Sequence, residues 1–465
     1  MVSSSHRLDT ARSRLLLPLT LLLLSLAGCS NSGDEGGGST TLGENPLGAL
    51  LDGEFGSGDG LVFLSSGDGV AKTVIEGAAG ELFVAGEVID AGGDVTITVW
   101  KLTATGGLDG TFNGNGIATL DPSPGVSPNE NSLAAMVIDD LGRIILAGTA
   151  GDPADPDVFV ARLLPSGAPD ASFGAGSGIV TAENDDLGVR FDTATAVTVD
   201  ATNRITVLGT SIDGSLPDES EMVAWRFTEI GLADGGFGAA GLFTSGGLDD
   251  EGGDLIVDDF GQTLIVGRRD AALAVWLLDA DGSLVVPFGS GGLSLLSDPS
   301  GGTLHARDAK LWADASGFIS RAIVTGTRTV LDLPDRLFSA RISLIDGSLD
   351  GDYGGTGVTL LGTVFGDAAG YESVVASDGR TVAAAGITLD DGAGGTTGAG
   401  SLWLLFPSGL LDPALGGTGA VHLSSALDAV SDARGLVIDA ASRVVVVGSA
   451  DTGVGTISPV IWRVP

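Results

Sequence analysis

The stretch 138–148, IDDLGRIILAG, returns about every sixty residues to the end of the chain, and this period constrains the fold more than any other feature. Its copies end at Gly86, Gly148, Gly209, Gly267, Gly326, Gly386 and Gly448, at intervals of 62, 61, 58, 59, 60 and 62 residues. The fifth copy, ASGFISRAIVTG, is degenerate. A second element, L-D-x-x-F-G-x-x-G followed by an apolar strand, occurs around Phe55, Phe112, Phe173, Phe237, Phe288, Tyr353 and Leu415. A third is an apolar strand carrying Trp or Ala and then a basic or apolar residue, as in Trp100-Lys101-Leu102, Ala161-Arg162-Leu163 and Trp462-Arg463-Val464.

Each unit offers four short strands, as in GIATL, AAMVI, RIILAG and VFVARL, and there are seven units. A lone four-stranded unit cannot bury both faces. Seven of them arranged about an axis can, so the expected fold is all-β, a seven-bladed β-propeller of about 60-residue repeats spanning residues 46–465. The chain ends just after VIWRV without the F-G turn and strand that should follow, and residues 50–64, LLDGEFGSGDGLVFL, supply both. The N- and C-terminal strands are therefore expected to share one blade and leave no open edge.

This pattern of hairpin, A-R-L strand and F-G turn resembles the delta-60 repeat family of bacterial seven-bladed propeller-like proteins. The resemblance covers about residues 50–465 and weakens at Asn113, at Leu415 and around Phe318. It implies an architecture and almost nothing about activity.

Ahead of the repeats, residues 15–27, LLLPLTLLLLSLA, form an apolar run after a segment holding Arg7, Arg12 and Arg14. A thirteen-residue apolar core is too short to span a bilayer comfortably and suits an export signal. Gly28 and Cys29 follow, so that 1–28 resembles a bacterial lipoprotein signal cleaved between Gly28 and Cys29. Cys29, the chain's single cysteine, is the expected lipidation site, since a thiol is the side chain best suited to thioether formation. Residues 29–45 read as a flexible tether. By the same resemblance, Ser30 points to an outer-membrane location in the cell envelope.

The formal net charge is −38, with 22 basic and 60 acidic residues. Such a surface repels nucleic acid and is read as a solubility device. Acidic groups at Asp185 and Asp186, at Asp213, Asp218, Glu219 and Glu221, at 249–251, and at Asp390 and Asp391 are the candidate cation ligands. No complete calcium loop is spelled, so calcium stays an alternative and no cofactor or metal ligand is assigned. The G-x-G-x-x-G at 236–241 precedes a strand rather than a helix and reads as a repeat turn. His305 reads as a loop residue and His422 as a strand residue. The repeated Trp reads as inter-blade packing, with the neighbouring Arg or Lys at a surface or blade edge.

With no catalytic residue nominated, the expectation is a monomeric, non-enzymatic, membrane-anchored scaffold. It would bind an envelope protein or glycan through variable loops on one face, such as 149–157, 210–221 and 388–400. The alternatives are an envelope enzyme acting on glycans through an acidic axial pocket, and a structural envelope protein.

Overall fold

The computed structural model describes residues 51–465 apart from 65–66, 128, 153, 183–189, 214–218, 248, 299–300, 315–316, 318, 332, 364–371, 391–395, 424–430 and 452–455. The leader, Cys29 and the tether lie outside the described residues, as do Asp185, Asp186, Asp218 and Asp391. The described chain forms seven four-stranded antiparallel sheets, the blades of a β-propeller. The first contains Gly69–Glu76, Leu82–Ile89, Val95–Leu102 and Ile117–Leu120, ordered from the axis outward. The remaining inner strands are Ser132–Ile138, Arg190–Val199, Asp250–Val257, Thr303–Ala313, Glu372–Val375 and Ser431–Ile438. GIATL thus closes the first blade and does not open the second, a shift of one strand from the unit boundary expected.

The seventh blade joins the termini. Its Ser431–Ile438, Val444–Asp451 and Ile457–Val464 strands are completed by Leu61–Phe63, with Leu61 opposite Trp462 and Phe63 opposite Val460. This is the shared closing blade that the sequence ends imply.

Apolar clusters fill every blade interface. Ile97, Phe112 and Phe159 lie between blades one and two, and Phe55, Trp100, Val447 and Ile461 between seven and one. The F-G aromatic is the plug. Phe55, Phe112, Phe173, Phe237, Phe288 and Tyr353 are fully buried against the following blade, and Leu415 takes this place in the sixth blade. Opposite Phe112, Gly167 has φ +87°, and a Cβ there would lie 3.0 Å from the ring, so the facing turn needs glycine.

The basic residue beside the repeated Trp or Ala is not at a surface. Arg162, Arg226, Arg341 and Arg463 are buried, because each is a clip joining three parts of the ring. Arg226 donates to Asp234 at 2.8 Å, covers the Phe237 ring at 4.2 Å, and reaches the Ala280 carbonyl of the next blade at 2.6 Å. A guanidinium can be buried this way because its fork offers donors to a carboxylate and a carbonyl while its flat face stacks on the ring. In the fourth blade both members of the ion pair are replaced, by Leu277 and Val285.

The hairpin glycine is a packing requirement. A Cβ on Gly148 would fall 2.0 Å from the Ser132 carbonyl, beside a bulge in the inner strand between Leu133 and Ala135. In the sixth blade strand pairing puts Ala385, not Gly386, at this level, since Ala383 pairs with Trp403 as Val84 pairs with Trp100. His305 lies in Thr303–Ala313, not in a loop, and His422 lies in a strand as expected. The 236–241 stretch is a turn leading into Leu242–Thr244, and its Gly238 N–H bonds the Asp281 carbonyl of the next blade.

Candidate functional site: the axial cavity

The inner strands of all seven blades line one cavity of about 570 Å3. The bulges decide what faces it. Register shifts at Ala71/Thr73, Ala194/Ala196, Gly252/Asp254, Ala306/Asp308 and Ala433/Gly435 free Lys72, Thr195, Gly253, Arg307 and Arg434 from strand pairing, and each lines the cavity. A bulge leaves its extra residue unpaired and re-aims the side chain, so the rule that packs the blades also delivers polar groups to the axis.

Next along the inner strands of blades four, five and six stand Asp254, Asp308 and Glu372. Each carboxyl stitches its strand to the following one. Asp254 accepts the Ala309 N–H at 2.9 Å, Asp308 the Ser373 N–H at 2.9 Å, and Glu372 the Leu436 N–H at 3.0 Å. Lys310 sits two residues beyond Asp308, pairs with it, and lies 3.9 Å from Asp254. Three carboxyls around one ammonium are over-supplied with negative charge. Burial pushes Glu372 up to about 8, against the pull of Lys310 and with the push of Asp308, and burial likewise raises Asp254 to about 6. Lys310 is held above its usual value because Asp308, Asp254 and Glu372 outweigh its burial. Glu372 is therefore a proton donor near neutrality beside a charged Lys310.

Lys72 bonds Glu87 at 2.5 Å, the Ser132 hydroxyl and the Leu133 carbonyl, and burial lowers its pKa despite Glu87. Arg434 bonds Asp432 at 2.7 Å. Arg307 differs from both. It makes no ion pair or hydrogen bond among the described residues, and its Nε is buried without a partner. The acidic axial pocket of the alternative enzyme reading is met only in part: Asp254, Asp308 and Glu372 line the cavity, but the bulges add three cations and Lys310 a fourth.

The acidic stretch 249–251 is not a free cation site. Arg268 bonds Asp249 at 2.5 Å and Glu251 at 2.7 Å, and Arg269 bonds Asp250 at 2.5 Å. Among the described residues no three His, Cys, Asp or Glu side chains group as metal ligands would.

Sequence reasoning missed the whole axial set. One signal was present: Lys72 and Arg434 each stand fourteen residues ahead of their hairpin glycine, at a position that varies while the rest of the repeat holds.

No family model and no curated protein matches the sequence, so the delta-60 resemblance gains no support from either. Solved structures match the fold. The β-propeller domain of the Trilobed protease from Pyrococcus furiosus is 10% identical with TM-score 0.40, covering 85% of this chain and 95% of that one. Polysaccharide lyase Uly1 is 9% identical with TM-score 0.42, covering 87% and 90%. A subtype N11 neuraminidase-like protein of flat-faced bat origin is 12% identical with TM-score 0.37, covering 89% and 96%. These likenesses concern the fold alone. The expectation of a non-enzymatic protein is corrected on the site itself, because the axis gathers acid and cation groups that the sequence scatters over separate blades, while the likeness to the lyase shows only a shared fold.

Proposed function

We propose that the axial cavity is a recognition site for a small hydroxylated carboxylate of the sugar-acid class, in an exported protein acylated at Cys29 and held at the cell envelope. The observation that carries this reading is Arg307, a cation with no partner among the described residues of a chain where acids outnumber bases almost three to one. Its guanidinium lines the cavity without an ion pair, and a bidentate carboxylate would supply one. The class of anion follows from the neighbours. Asp254 and Asp308 repel a second negative charge, which favours a monoanion over a phosphate dianion, while the same carboxylates accept hydrogen bonds from ligand hydroxyls. A cavity of about 570 Å3 suits one or two sugar units.

Thermal-shift titration with glucuronate, glucose and inorganic phosphate tests this. Stabilisation by glucuronate, absent for glucose and absent in Arg307→Gln, supports the reading. Equal response to phosphate, or glucuronate binding untouched by Arg307→Gln, overturns it. Monitoring glucuronate-containing oligosaccharides for new products in the same samples shows whether recognition leads to turnover.

A further inference from the structure

The two faces of the ring differ in kind. The first-to-second and third-to-fourth strand turns share one face, and most exposed large apolar side chains sit on it, at Ile230, Leu232, Phe260, Val286, Ile345 and Leu410. Ile345 is 77% exposed and Phe260 85%. Hairpin tips on several blades thus end in an unburied aliphatic group. The opposite face exposes fewer, among them Leu331 and Ile457. Many acids on the turn face are already neutralised, Asp170 by Arg162, Asp234 by Arg226, and Asp139 by Arg143. A set of exposed apolar turn tips on one face of a strongly acidic protein marks an interaction face.

The chain itself indicates the occupant. Asp52 N–H bonds the Arg463 carbonyl at 2.8 Å, so the described chain enters the ring on the turn face, where a complete blade has its third-to-fourth hairpin. The 22 residues 29–50 lie between Cys29 and that entry point.

We propose that the turn face docks on the zwitterionic bilayer surface to which Cys29 is anchored, with Ile230, Val286, Ile345 and their neighbours at the headgroup level. The proposal rests on the acylation reading above. Contacts too weak to hold a free protein suffice once a short tether raises the local concentration. Remaining carboxylates such as Asp140 and Asp259 disfavour an anionic surface.

The test is hydrogen exchange on the acylated protein in phosphatidylcholine vesicles against the same protein in detergent. Amides of 230–232, 284–286, 345–347 and 408–411 should exchange at least about threefold more slowly on vesicles, and those around Leu331 should not change. Leu232→Glu with Ile345→Glu should erase the difference while leaving the melting temperature in place. Equal exchange in both settings, or protection around Leu331 instead, overturns the proposal. Failure of acylation is a separate result, seen as no release from the membrane fraction on Cys29→Ala. In that case the full chain coupled through its single Cys29 to a maleimide lipid still tests the docking.

Discussion

Replacing Arg463 by Met tests whether the ends of the chain hold the ring shut. Arg463 is 2% exposed, donates to Asp52 at 2.7 Å, stacks on Phe55 at 4.4 Å and reaches the Ala104 carbonyl at 2.5 Å. Its loss leaves Asp52, 12% exposed, with the Glu54 N–H at 2.9 Å and Arg443 at 3.3 Å, and leaves the carbonyl without this donor. Breaking a buried ion pair costs about 3–5 kcal/mol, and the residual Arg443 contact puts Arg463→Met near the lower end. Asp52→Asn should cost about 2 kcal/mol, and the double variant should show a coupling of about 1–3 kcal/mol. An exposed pair would couple by less than about 1 kcal/mol. Urea unfolding gives the energies, and exchange of the Leu61–Phe63 amides reports the clasp. A cost of Arg463→Met below about 1 kcal/mol, or loss of stability with Leu61–Phe63 fully protected, would refute closure by this contact.

The F-G plug should behave as core. Phe237→Ala is expected to cost about 3–5 kcal/mol, and Gly167→Ala more than the ordinary 0.5–1 kcal/mol or so of a glycine exchange, because positive φ adds to a clash with Phe112. Differential scanning calorimetry checks both. The axial carboxyl gives a pH signature. A Glu372 pKa raised on folding means that the folded state holds a proton the unfolded chain releases above about pH 4.3. That contribution is complete below this value and is lost as pH rises toward about 8. Glu372→Gln should therefore flatten the fall in stability across that window. Asp52 and Asp170 act oppositely, since burial raises them but local hydrogen bonds and Arg463 or Arg162 lower them below the usual range. Their contribution is present at neutrality and is lost as pH falls below about 4.

The ring was legible in the sequence because its devices are local and repeated. The Phe of the F-G turn, the glycine facing it and the bulge-side glycine each recur at a fixed offset within one unit, so seven copies reveal them. The burial of Arg162 and Arg463 was not legible, because alternation along a strand says only that the arginine points away from its neighbour. It does not say that a second blade lies there. The axial cavity was hidden for a related reason. Lys72, Arg307 and Glu372 come from blades one, five and six, and the bulge that turns the first two inward lies fourteen residues ahead of the hairpin glycine at Lys72 but nineteen ahead at Arg307. In a chain rich in charge each passes for a solvated side chain. The count of titratable residues therefore misled: scattered along the sequence, they converge in space because every inner strand faces one axis.

The central claim is that Arg307 makes the axial cavity an anion site, and calorimetric titration of glucuronate into the intact protein and its Arg307→Gln variant tests it most directly. Saturable one-to-one binding at neutral pH is predicted, weakened at least about tenfold by the substitution, and weakened also as pH rises past about 8 and Glu372 gains charge. Equal affinity in the two proteins, or no binding in either, would contradict it.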